Sequence, residues 1–128
     1  MMVWFEQLTA ARLALLGQGV AVTLLLACIG VFIGMCGGIF GGILSCRRLR
    51  HPFFGPLVSA YVFVIQGTPL FVQILLVYFA LPTLWNGAIS PMAAVLIALG
   101  ANSTAYVTQI VRAGINAVPV GQWEAAHV

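Results

Sequence analysis

Hydrophobic positions in this chain neither alternate nor form short amphipathic stretches; they run on. Between Arg12 and Arg47 lie 34 residues without a formal charge, and between Arg50 and Arg112 lie 61, with His51 as the group that titrates nearest neutrality there. A hydrocarbon layer of about 30 Å takes about 20 apolar residues of helix. The first run therefore predicts one long span, and the second predicts two if a turn divides it. Leu81-Pro82-Thr83-Leu84-Trp85-Asn86-Gly87 supplies that turn, with a Pro, an Asn-Gly pair and a Trp suited to headgroup depth. The pattern predicts an all-α membrane protein with three transmembrane helices near residues 13–46, 57–81 and 90–113. An N-terminal segment, 1–12, precedes them and a tail, 114–128, follows.

Composition sharpens this picture. The chain is 62% hydrophobic and 5% charged, against roughly 45 to 50% and about 25% in soluble domains. Its net charge of +3 comes from five Arg and no Lys, set against two Glu and no Asp. These bases sit at the edges of the apolar runs rather than in a patch interleaved with aromatics, which argues for membrane lipid and against nucleic acid as a partner. Arg47, Arg48 and Arg50 share the short connection between the first two spans. The positive-inside rule puts that connection in the cytoplasm, the N-terminus outside, and Arg112 with the tail back in the cytoplasm. A cleaved signal peptide is not expected. Met1–Ala11 carries Glu6 and no base, and the apolar run far exceeds the usual 7 to 15 or so residues.

Within the runs a few positions stand out. Gly30, Gly34, Gly38 and Gly42 recur every four residues, with Gly37 and Gly41 beside them, and predict a face on which another helix packs closely. That helix belongs either to this chain or to a second subunit. Cys28, Cys36 and Cys46 have no ligand-spaced His or carboxylate near them and read as small buried hydrophobes, so no metal is expected. Gln66-Gly67-Thr68-Pro69 interrupts the second helix: either it kinks, or Thr68 caps a fresh helix whose first residue is Pro69. The freed backbone groups must then face protein or a polar cavity. Interrupted helices of that kind handle solute in transporters, a packing kink being the plainer alternative. Gln66, Thr68 and Gln73 on this helix and Asn102, Tyr106 and Gln109 on the third make two polar stripes. Facing one another, they would be hydrogen-bond glue between helices or the wall of a translocation path. In the tail, a short helix is expected to begin at Gly121 with Glu124 in its first turn.

The strings Thr23-Leu24-Leu25-Leu26, Tyr61 with Gln66-Gly67-Thr68-Pro69-Leu70-Phe71-Val72-Gln73, Ala105-Tyr106, Arg112 with Gly114-Ile115, and Val118-Pro119 with Gly121-Gln122-Trp123-Glu124-Ala125-Ala126 come in one order along the chain. Together they resemble the permease subunits of polar amino-acid ABC transporters, the group that imports His, Gln, Glu, Arg or opines. The resemblance implies a multi-pass subunit of the bacterial inner membrane with the type I importer bundle, of which this sequence matches the N-terminal portion, two further spans being expected beyond it. It assigns Gly121, Gln122, Glu124, Ala125 and Ala126 to the start of the cytoplasmic coupling loop, whose helix docks on an ATPase. It implies three protein partners: an ABC ATPase subunit, a second permease, identical or paralogous, and an extracytoplasmic amino-acid-binding protein. No cofactor is expected on the chain itself, ATP acting through the partner. Three positions depart from the family's usual residues: Gln66 replaces an Arg, Gln109 a Glu, and Val120 a base. The joint loss of both membrane-depth charges predicts that positions 66 and 109 meet across helices.

Other functions find little support in the residues. Gly37-Gly38 and Gly41-Gly42 lie in an apolar run with no Gly-Lys-Ser behind them, so the chain is not expected to hydrolyse ATP. A proton-coupled exporter needs a carboxylate inside a span, and both Glu lie outside the runs. His51 and His127 sit near the basic surface and form no catalytic dyad or metal cluster. The remaining alternative is an inactive truncated copy or a structural membrane subunit, which would capture no ATPase.

Overall fold

The computed structural model describes residues 2–47, 52–84 and 86–126, with backbone alone for 2–8. Arg48, Arg50, His51, Trp85 and His127 lie outside the described residues, as does the side chain of Glu6. The uncharged first run forms one helix, α1 (Met2–Ser45), 44 residues long. It takes in residues 2–12 of the segment expected to precede the span. At 1.5 Å per residue it extends about 66 Å, far more than a hydrocarbon core, and its Thr9–Ser45 portion is apolar enough to cross one.

The second run folds less simply. It gives α2 (Phe54–Gln66) and α3 (Leu70–Leu75), the latter continuing as a π turn over Leu76–Ala80 and a 3-10 turn over Leu81–Leu84. The two legs, Phe54–Gln66 and Leu70–Leu84, meet at 104°. The single span expected at 57–81 is therefore folded sharply in its middle, and α2 alone, at about 20 Å, is too short to cross. Two helices in the described chain are long and apolar enough to span a membrane, or three if the bent pair counts as one. Thr68 does not cap the new helix. Its hydroxyl donates back to the Val64 carbonyl at 2.8 Å, and Pro69, at φ −57° and ψ 137°, is itself the residue that precedes α3. Because Pro69 itself has an extended ψ, helical backbone resumes only at Leu70, one residue later than a Thr cap would put it.

The return turn carries its own punctuation. Asn86 adopts a left-handed φ of 53°, and the Gly87 N–H closes onto the Pro82 carbonyl at 3.2 Å. Ser90 then caps α4 (Pro91–Ala117): its hydroxyl accepts from the Ala93 N–H at 3.2 Å, with Pro91 in the first turn. α4 runs four residues past the expected end at 113. Pro119 follows it and precedes α5 (Val120–Ala125).

α1 and α4 make the closest pairing. Gly30 faces Leu99, Gly34 faces Ser103, Gly37 faces Thr104, Gly38 faces Val107, Gly41 faces Thr108 and Gly42 faces Val111. The glycine stripe thus packs on a helix of the same chain, and from Gly30 onward it is the buried side of α1, whereas residues 9–25 are exposed all round. Ala94, Ala98 and Ala105 of α4 are buried. Of the cysteines only Cys46 is buried; Cys28 and Cys36 are exposed and all three are free. The expectation that they fill the interior fails for two, because the stripe that α1 buries is set by its glycines and both cysteines lie off it.

Hydrogen bonds tie α2 to α4. The Tyr61 hydroxyl donates to the Ala101 carbonyl at 2.6 Å, and Arg112 Nη1 donates to Ser59 Oγ at 3.2 Å. Ser59 has given its own proton to the Gly55 carbonyl at 2.9 Å, so its oxygen is left to accept. Interhelical bonds in membranes average about 0.6 kcal/mol. Tyr61→Phe should therefore lower stability by about 0.5 to 1 kcal/mol in an SDS titration of micellar protein, with helix content unchanged.

Candidate functional site

The helix break is built around one buried amide. Pro69 has no N–H, so the Ile65 carbonyl, four residues earlier, loses its helical partner. Gln73 replaces it: Nε2 donates to Ile65 O at 2.8 Å and to Thr68 O at 2.9 Å. The side chain is 6% exposed, and its Oε1 is buried without a partner. Gln66 Nε2 is likewise buried and unpaired. Gln73 thus differs from a residue lining an open path. Its nitrogen is committed to holding the 104° corner closed, while its oxygen remains an unused acceptor.

The second stripe lies elsewhere. With about 3.6 residues per turn, Asn102, Tyr106 and Gln109 occupy the side of α4 turned away from Ser103, Val107 and Val111, which press on α1. Asn102 is half-buried, Tyr106 is 50% exposed and Gln109 is exposed. The two stripes do not face each other within the chain, because Gln73 turns inward to the break while the α4 stripe turns outward. Positions 66 and 109 do not meet either. The two helices run antiparallel, with Ser59 beside Arg112 and Tyr61 bonded at Ala101. Gln66 therefore lies beyond Tyr61, away from the end that carries Arg112, while Gln109 lies three residues from Arg112. Sequence spacing places residues on one face of a helix, but it carries no information on how far α2 and α4 are shifted along each other.

At the arginine-bearing end, Gly121, Gln122, Glu124 and Ala125 sit on α5, with Ala126 at its end, and all five are exposed. α5 begins at Val120, one residue before the expected Gly121, and holds no acid in its first turn. Glu124 falls in the second turn because Pro119, not Gly121, sets the start. Trp123 is half-buried and lines a cavity of about 250 Å³ with Arg47, Ile115, Asn116, Val118 and Val120. No group of three or more potential metal ligands occurs among the described residues.

An exposed short helix thus sits at one end of the membrane bundle, and one span is broken at Gly-Thr-Pro. Residues 34–128 match the family described as the binding-protein-dependent transport system inner membrane component. The chain belongs to this family. Among its relatives is the arginine transport system permease protein ArtQ of Bacillus subtilis, 39% identical over 118 residues that cover 92% of this chain and 53% of ArtQ. The putative glutamine transport system permease protein GlnP of Rickettsia prowazekii is 36% identical over 110 residues, covering 86% of this chain and 50% of its own. The crystal structure of an amino acid ABC transporter with histidines superposes with a TM-score of 0.72 at 40% identity, covering 82% of this chain and 48% of that one. The chain spans about half the length of the relatives it matches. The family match covers the glycine stripe from Gly34 onward, the broken span and α5 alike, so the all-α membrane fold and the family are settled together.

Proposed function

We propose that this chain forms the transmembrane portion of a permease subunit in an ATP-driven importer of polar amino acids. The observation that supports this best is α5. It is separate from α4, exposed along Gln122, Glu124 and Ala125, and seated at the end of the bundle that carries Arg47 and Arg112. In this reading that end faces the cytoplasm. A partner ATPase subunit binds α5, and its closure on ATP pushes the bundle between inward-open and outward-open states. A binding protein delivers the amino acid from the other side, and a second permease completes the pathway. ATP and the loaded binding protein turn the cycle because each favours one state over the other. The α4 stripe of Asn102, Tyr106 and Gln109 suits the pathway wall, since amide and phenol groups facing hydrocarbon would be unsatisfied.

The test is capture of an ATPase. A tagged chain, extracted from bacterial membranes that also contain a co-expressed amino-acid ABC ATPase, should retain that subunit. Ala125→Arg on the exposed face of α5 should weaken retention by about tenfold or more, as loss of an interface anchor does. Retention of nothing by the unaltered chain favours the inactive or structural subunit instead. Labelling of a cysteine placed at Gln122 by an impermeant reagent in intact cells would reverse the orientation and overturn the reading.

A further inference from the structure

We propose that Asn116 is a positioning residue that fastens α5 to the end of α1, so that α1, α4 and α5 move as one body. The inference rests on the coupling role proposed for α5. The Arg47 N–H, just past the end of α1, donates to Asn116 Oδ1 at 2.9 Å, joining residues 69 apart. Asn116 occupies the last turn of α4, and only Ala117, Val118 and Pro119 separate it from α5. The cavity beneath α5 is lined by Arg47, Ile115, Asn116, Val118, Val120 and Trp123. These residues come from the ends of α1 and α4 and from α5 itself; none comes from α2 or α3.

Displacement of α5 therefore enters α1 and α4 first. Those two helices are already pressed together along Gly30, Gly34, Gly38 and Gly42, and a backbone-close pairing has little freedom to slide. By contrast, α2 meets α4 through the Tyr61 and Arg112 hydrogen bonds and turns through 104° at its end. The compliant element is the broken span, and the stiff element is the pair that Asn116 links to α5. A solvent-exposed bond of this kind adds too little to hold the fold, so its removal leaves a folded protein. What it supplies is direction, because the carbonyl oxygen of Asn116 fixes where the end of α1 sits relative to the start of α5.

The experiment uses Asn116→Leu, which removes the acceptor, and Asn116→Asp, which keeps it, in the transporter assembled with its ATPase in proteoliposomes. For Asn116→Leu, hydrogen exchange of the Arg47 amide should rise about fivefold, the factor that about 1 kcal/mol represents. ATP hydrolysed per solute moved should rise severalfold, with ATPase capture unchanged, and Asn116→Asp should restore both values. Unchanged exchange at Arg47 overturns the proposed bond. Faster exchange with an unaltered ATP-to-solute ratio overturns its role in coupling. Failure of the unaltered chain to bind any ATPase sinks the function proposed above instead, and the Arg47 exchange still reads the clamp on its own.

Discussion

Gly34→Ala is expected to destabilise the protein by about 1 to 3 kcal/mol, whereas Gly19→Ala, in the same helix, is expected to be neutral or stabilising. Alanine is the better helix former by roughly 0.5 to 1 kcal/mol, so propensity alone predicts a gain at both sites. Packing reverses the sign at one of them. A Cβ on Gly19 would meet nothing within 4 Å, but a Cβ on Gly34 would lie 2.9 Å from the carbonyl carbon of Ser103 and 3.1 Å from its Cα, besides striking the Ser103 side chain. Backbone atoms cannot rotate away, so α1 and α4 must separate, and overpacking of this kind typically costs about 1 to 3 kcal/mol. Gly30→Ala should be milder than Gly34→Ala, because its obstacle is the flexible end of Leu99, at 2.6 Å. SDS titration of the purified chain, followed by circular dichroism, ranks the three variants. Equal stabilities for Gly34→Ala and Gly19→Ala would remove the claim that α1 and α4 are held at backbone distance.

The glycines also separate what residue spacing dictates from what it leaves open. A four-residue glycine period dictates a bare face, because the helical repeat puts those positions on one side. It does not name the helix that covers the face, and Ser103, Val107 and Val111 supply that cover from a run of ordinary small and branched residues. Cys28 and Cys36 defy the expectation of burial for the same reason: burial in α1 follows the helix it meets, not residue type. The turn at Pro82–Gly87 and the start of α4 are legible in the sequence because Pro, Asn-Gly and Ser-Pro act locally. The 104° corner is only half legible. Gly67-Thr68-Pro69 announces an interruption, but the side chain that folds back onto the Ile65 and Thr68 carbonyls, Gln73, lies seven positions beyond Gln66 and is not marked for that role by its spacing. For the candidate site, residue types are readable and mutual placement is not. The expected pairing of Gln66 with Gln109 rests on lost charge alone, and the Tyr61–Ala101 and Ser59–Arg112 bonds fix a register of α2 against α4 that keeps them apart.

Gln73→Met is expected to have the other large effect, and its size should depend on residue 69. Methionine keeps the length and apolar stem of the side chain but donates nothing, so Thr68 O loses its Gln73 partner and Ile65 O keeps only the longer bond from the Thr68 N–H at 3.3 Å. An unsatisfied buried carbonyl costs about 1 to 3 kcal/mol, so the variant should lose about that much. Pro69→Ala returns an N–H at the position from which a continuous helix would serve Ile65 O. In that background Gln73→Met should cost markedly less, and the two changes should couple by about 1 kcal/mol or more, as expected for residues that share a partner. The geometry should move as well. With spin labels at Phe63 and Phe79, both exposed and on opposite legs of the corner, and with the native cysteines replaced, the Pro69→Ala, Gln73→Met double variant should show a longer distance as the legs open. If Gln73→Met costs the same with Pro or Ala at 69 and the label distance stays put, the amide is not filling the vacancy that proline leaves. The corner would then owe its angle to the packing of α3 and the π turn that follows it against α4.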